Sequence, residues 1–192
     1  MAECSSINYQ LTGLQSICNA SIGGITTLYL INEEDIKITR PEVKENEPVT
    51  GNLRIDGTQG TISYAGTNKF QEYRFRNNTG SMTTTFETDE TGSYKVFTTE
   101  VSLQFGGLNS GTRMQIMAMC MNSVVAVVKD AKGDYWLLGG DGKQVNASAA
   151  TAVTGTDAKE FNGYTVTLKV EQDELPYEID KAVFETLISK ES

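Results

Sequence analysis

Residues Thr79 to Phe105 read TGSMTTTFETDETGSYKVFTTEVSLQF, and this stretch decides what the chain can build. Side chains along a strand alternate between two faces, so each half of the stretch sorts into two sets. In the first half Ser81, Thr83, Thr85 and Glu87 share one face, and Met82, Thr84 and Phe86 the other. In the second, Phe97, Val101, Leu103 and Phe105 share a face opposite Thr98, Glu100, Ser102 and Gln104. The acidic, Gly-containing segment between them is turn chemistry. The stretch therefore reads as a long β-hairpin. One face is fit to pack on a core, and the other, of hydroxyls and carboxylates, must meet water or another polar surface.

Strands also dominate upstream. GITTLYLI (24–31) is rich in β-branched and aromatic residues and reads as a strand. The charged segment 32–48, with its two prolines, reads as a long loop around a short strand, Ile36 to Thr39. VTGNLRI and TISYAG are two more short strands separated by Asp56-Gly57, and KFQEYRFR runs up to a turn at Asn77-Asn78-Thr79-Gly80. Residues 1–23, polar and small, read as an N-terminal arm, leaving 24–192 as a single β-sandwich domain.

After Gly106-Gly107 the period changes. NSGTRMQIMAMCMN (109–122) reads as a short helix with Ser110 as its N-cap. Met114, Met117, Ala118 and Met121 recur at helical spacing and are expected to pack on the core, with an adaptable contact surface as the competing reading. Val124 to Val128 is a continuous apolar run, expected to be buried on both faces. Asp130 to Asp134 is a turn, and Tyr135 to Leu138 returns beside the valines with Trp136 filling core volume. Residues 139–160 read as a mobile connection, in which QVNASAATAV can pair as a strand. YTVTLKV (164–170) alternates, with Tyr164, Val166, Leu168 and Val170 inward. The tail reads as a closing helix capped by Asp180, with Val183, Phe184, Leu187 and Ile188 on its apolar side. The expected fold class is mainly β: an antiparallel sandwich or barrel with a long polar hairpin, one short helix and a C-terminal helix.

The composition excludes several kinds of chemistry. The chain has 192 residues and no histidine, so the commonest general base and metal ligand are missing. Cys4, Cys18 and Cys120 are widely spaced and form no C-x-x-C pair, which points to reduced thiols in a protein made in the cytosol. GGDGKQ (139–144) lacks the spacing of a phosphate-binding loop, and the Asp130/Asp134 pair lacks the further oxygens of a calcium loop. The first ten residues have neither the basic nor the apolar region of a secretory signal, and no apolar run approaches the roughly 20 residues of a membrane span. The sequence thus leads us to expect no enzyme, no cofactor, no metal and no membrane partner. A net charge of −9 argues against a grip on nucleic acid. It suits a surface that nucleic acid passes without sticking. Subunits that pair strand edges into a ring would close the hairpins into a barrel, its wet face lining a lumen.

Three motifs carry a family resemblance: ASIGGITTLYLI (20–31), VVAVVKDAKGDYWLLGG (124–140) and NGYTVTLKVEQDELPYEI (162–179). They are similar to motifs of virion structural proteins of phages and prophages of Bacteroidetes-type hosts. The order of elements resembles the tail tube proteins of long-tailed bacteriophages. The resemblance implies stacked, hexameric rings in which each subunit gives a hairpin to an inner barrel. Carried over, Thr83, Thr85, Glu87, Thr98, Glu100, Ser102 and Gln104 would face the lumen, and residues 32–48 would stand where the inter-ring loop lies. The implied partners are further copies of the chain and other virion proteins, with DNA passing unbound. The implied location is the virion, after synthesis in the host cytoplasm. Two other readings fit the composition: a capsid auxiliary or decoration protein, and a carbohydrate- or receptor-binding module.

Overall fold

A computed structural model describes residues 8–9, 23–43, 48–49, 53–75, 78–88, 90, 94–157 and 159–189. Its centre is a six-stranded sheet with the order β5 (Arg54–Ile55), β14 (Tyr177–Ile179), β11 (Tyr135–Leu138), β10 (Val124–Asp130), β2 (Ile25–Asn32) and β7 (Gln71–Arg74), strands being numbered along the chain. A four-stranded sheet, ordered β12 (Asn146–Val153), β13 (Gly163–Gln172), β9 (Lys95–Gly106) and β8 (Ser81–Thr88), packs against one face of it. Two small pairs complete the strands: β3 (Ile36–Thr39) with β6 (Thr61–Tyr64), and β1 (Asn8–Tyr9) with β4 (Pro48–Val49). Helix α1 spans Ser110–Met121 and α2 spans Lys181–Ser189. The pairing is antiparallel except at β1–β4 and β5–β14. Both larger sheets are open, so the chain is a sandwich and not a closed barrel.

The valine strand explains the layering. All five residues Val124–Val128 are buried, as a strand covered on both faces requires. On one side Val124, Ala126 and Val128 join Leu28, Leu30 and Leu138 against Val101, Leu103, Val166, Leu168 and Val170 of the four-stranded sheet. On the other side Val125 and Val127 join Tyr29, Ile31, Tyr135 and Leu137 beneath α2 and the β3–β6 pair. The hairpin meets the first of these cores through Gly80. A Cβ there would run into the Phe75 ring and Ile25, while the Gly80 carbonyl accepts from the Ile25 N–H at 3.3 Å.

The closing helix follows its sequence signals. The Asp180 Oδ1 accepts from the N–H groups of Ala182 (2.9 Å) and Val183 (3.3 Å), which are orphan donors of the first turn. Phe184 is fully buried, and Val183, Leu187 and Ile188 pack half-buried around it.

Helix α1 departs from expectation at two points. Its N-cap is Asn109 and not Ser110: Asn109 is extended (φ −140°, ψ 165°) and its Oδ1 accepts from the Thr112 N–H at 2.8 Å. Its buried residues are Ile116 and Met119, whereas Met114, Met117 and Met121 are 60%, 40% and 73% exposed. Two apolar stripes share this helix at the same period, and periodicity alone cannot choose which one turns inward.

Trp136 is also placed differently. It is half-buried, and its indole Nε1–H donates to Asp130 Oδ2 at 3.1 Å. The other carboxylate oxygen of Asp130 accepts from the N–H groups of Lys132, Gly133 and Asp134 at 2.8–2.9 Å. Trp136 therefore ties down a turn organised by one carboxylate, in place of filling the core. Trp136→Phe should cost about 1.5–3 kcal/mol, the range for a hydrogen bond to a charged group. Urea unfolding measures this, and a loss under half a kcal/mol would mean that the indole N–H is not holding the turn.

Candidate assembly surface

The face of the four-stranded sheet turned away from the core is built by register. Val101, Leu103, Val166 and Leu168 point into the core, so the alternate residues point out. Cross-strand pairing sets them in rows: Thr83, Glu100, Lys169 and Asn146; Thr85, Thr98 and Glu171; Ser81, Ser102, Thr167 and Ala149. Gln104, Thr165 and Thr151 make a further row, and Glu87 stands opposite Val96 near the hairpin end. The seven residues singled out from the sequence thus share one face. Thr83, Thr85, Glu87 and Glu100 are exposed, and Ser102 and Gln104 are half-buried. Thr98 is the departure, only 6% exposed, set between Thr85 and Glu171 in its row.

Strand β13 contributes what the hairpin reading did not include: Thr165, Thr167, Lys169 and Glu171. The signal was present in the alternation of YTVTLKVE, whose outward residues belong beside β9 once the pairing is known. The Lys169 Nζ lies 2.9 Å from Glu171 Oε1. Hydrogen bonding to Glu171, its charge, and the more distant carboxylates Glu100 and Glu87 raise the Lys169 pKa above the ordinary lysine range. The ammonium therefore stays charged at neutral pH, surrounded by three carboxylates. The face is hydroxyl-rich and acidic on balance.

The two edges of this sheet are the second feature. Strands β8 and β12 end it, and among the described residues no strand is hydrogen-bonded to their outer sides. Each is eight residues long, and neither contains proline or lysine, the usual guards of an edge. Strand β12 carries a bulge between Ala147 and Ala149, where the Ser148 Oγ–H donates to the Thr167 carbonyl at 3.2 Å.

No protein-family model matches the chain, and no curated protein matches it. The functional reading rests on this geometry and on the sequence. Among the described residues no three His, Cys, Asp or Glu side chains gather to hold a metal ion, and no described helix is long and apolar enough to cross a membrane. Of the expected N-terminal arm only Asn8–Tyr9 and Gly23 are described, and within 32–48 residues 44–47 lie outside the described residues. The short strand expected within that segment is β3, Ile36–Thr39, and Ile36, with Ile38 beside it, packs into the core beneath α2. Within QVNASAATAV, which the sequence allowed to pair as a strand, Asn146–Val153 form β12.

Proposed function

We propose that the chain is a self-assembling structural subunit of a phage virion, tail-tube-like, whose four-stranded sheets join edge to edge into a closed barrel around a lumen for DNA. The observation that carries this reading is the sheet itself: four antiparallel strands, two open edges, one packed face and one polar face. An even strand number makes β8 run opposite to β12. Copies related by rotation therefore meet β8 to β12 antiparallel, and the alternation continues around any ring size. Such a contact is heterologous, and it either closes or grows into a filament. Closure removes the edges that the isolated sheet leaves open. The hydroxyl and carboxylate face then lines the interior, where its negative balance repels a phosphate backbone. The role is non-catalytic, and the partners are copies of the chain and other virion proteins.

Electron microscopy of concentrated protein should show hollow rings or tubes. Ala150→Lys places a charge on the exposed, core-side flank of edge β12, a device that natural edges use against pairing. It should leave the fold intact and reduce assembly at least about tenfold, the scale of one unfavourable charge at an interface. A wild-type protein that sediments only as monomer at high concentration would overturn the reading.

A further inference from the structure

The core-facing side of the four-stranded sheet is unfinished at both edges. At β8 the outermost apolar side chain is Phe86, 52% exposed, with its ring 5.0 Å from that of Phe97. At β12 the residues on the same side are Ala150 and Ala152, which pair with the core-facing Val166 and Tyr164 yet are exposed. Beside β12 runs α1, with Cys120 and Ala147 packed on the same core cluster and Ser123 Oγ 3.2 Å from Asn146 Oδ1. The outer stripe of that helix is Met114, Met117 and Met121.

We propose that the methionine row of α1 receives the Phe86-bearing edge of a second copy of this chain, so that each copy completes its neighbour's core. This rests on the edge-to-edge reading above and names the contact that makes it stick. Three observations select a second copy as the occupant. The two apolar surfaces lie on the same side of one sheet, at opposite edges, so β8-to-β12 pairing brings them together. The two edge strands bring no like charges together: β12 has no charged residue, and Glu87, the one charged residue of β8, points to the opposite face from Phe86. In a chain of net charge −9 this flank is a place where copies approach without meeting like charge. Methionine also suits the contact, since its thioether is flexible and packs well on an aromatic ring.

The test uses two full-length variants, Phe86→Glu and Met117→Glu/Met121→Glu, each followed by sedimentation and thermal unfolding. Because the altered side chains are largely exposed, both should melt with the wild type. Each alone should assemble about 10- to 100-fold more weakly, the range for losing a buried apolar anchor. Mixed, they should form a heterodimer that does not grow, since one copy keeps a working edge and the other a working methionine row. Assembly of the wild type with no effect of either variant overturns this inference and leaves the edge reading standing. So does a mixture that stays monomeric, which would mean the two surfaces do not meet. A lowered melting temperature of the methionine variant with unchanged assembly would also overturn it, by showing that the row is covered within the same copy. A wild type that never assembles removes the edge reading itself.

Discussion

Phe184→Ala is expected to destabilise the chain by about 3–5 kcal/mol, the usual cost of removing a buried ring. A protein of ordinary stability, about 5–15 kcal/mol, then loses a large part of what keeps it folded. Phe184 has no exposed surface, and its ring lies 5.2 Å from Tyr29, 5.3 Å from Phe70 and 4.8 Å from Tyr135, two of these contacts edge-on. Such ring pairs contribute beyond their buried area. The helix depends on this docking, because nine residues are too few for a stable helix in water. Its docking covers Tyr29, Val127 and Leu137 of the central sheet, so an empty Phe184 site uncovers the outer core. Urea unfolding gives the number. Phe184→Leu, which keeps most of the volume, should cost clearly less. A loss below about 1 kcal/mol for the alanine variant would mean that the β3–β6 pair covers this core without α2.

Features written in local chemistry were legible in the sequence. The period of 2 placed Met82, Val101 and Leu103 opposite Thr83, Glu100 and Ser102, and the register bears this out. Asp180 as cap and Val124–Val128 as a doubly buried strand were likewise visible, because a cap bond and an unbroken apolar run need no knowledge of distant neighbours. What was not legible depended on tertiary partners. Arg54–Ile55 and Thr61–Tyr64 flank a turn, where Asp56 Oδ1 accepts from the Thr58 and Gln59 N–H groups, both at 2.8 Å. They do not pair with each other: one joins β14 in parallel and the other joins β3. Lys169 escaped notice for the same reason, since its row neighbours Glu100 and Asn146 are far away along the chain. The methionines show the limit of periodicity, which reveals that a face is apolar without saying what covers it.

If the chain assembles as proposed, the double change Glu87→Lys with Glu100→Lys is expected to convert the tubes from a DNA-repelling to a DNA-retaining conduit. The outer face of the four-stranded sheet now carries the carboxylates Glu87, Glu100 and Glu171 against the single ammonium of Lys169. Reversing two charges leaves one carboxylate against three ammonium groups, so the balance changes sign in every copy. The fold should survive, because both side chains are exposed and surface changes are usually within about half a kcal/mol. Glu100→Lys will cost the more of the two, since Glu100 pairs with Lys169 in the register and a lysine there meets a like charge. Glu100 lies inside the sheet, but Glu87→Lys sets a lysine on edge β8, so tubes should form at a higher protein concentration than the wild type needs. Inside a closed barrel the new ammonium groups recur around the ring and along the stack, and each phosphate they neutralise releases counterions. Retention of DNA should therefore be steeply salt-dependent, with log affinity falling by about 0.9 per contact for each unit of log salt concentration. The measurement is DNA bound by tubes of the two proteins across a salt series, with imaging of where the strand lies. DNA held within the variant's lumen and released by salt is the expected result. No gain in binding, or DNA held only on the outside, would show that this face does not line the conduit.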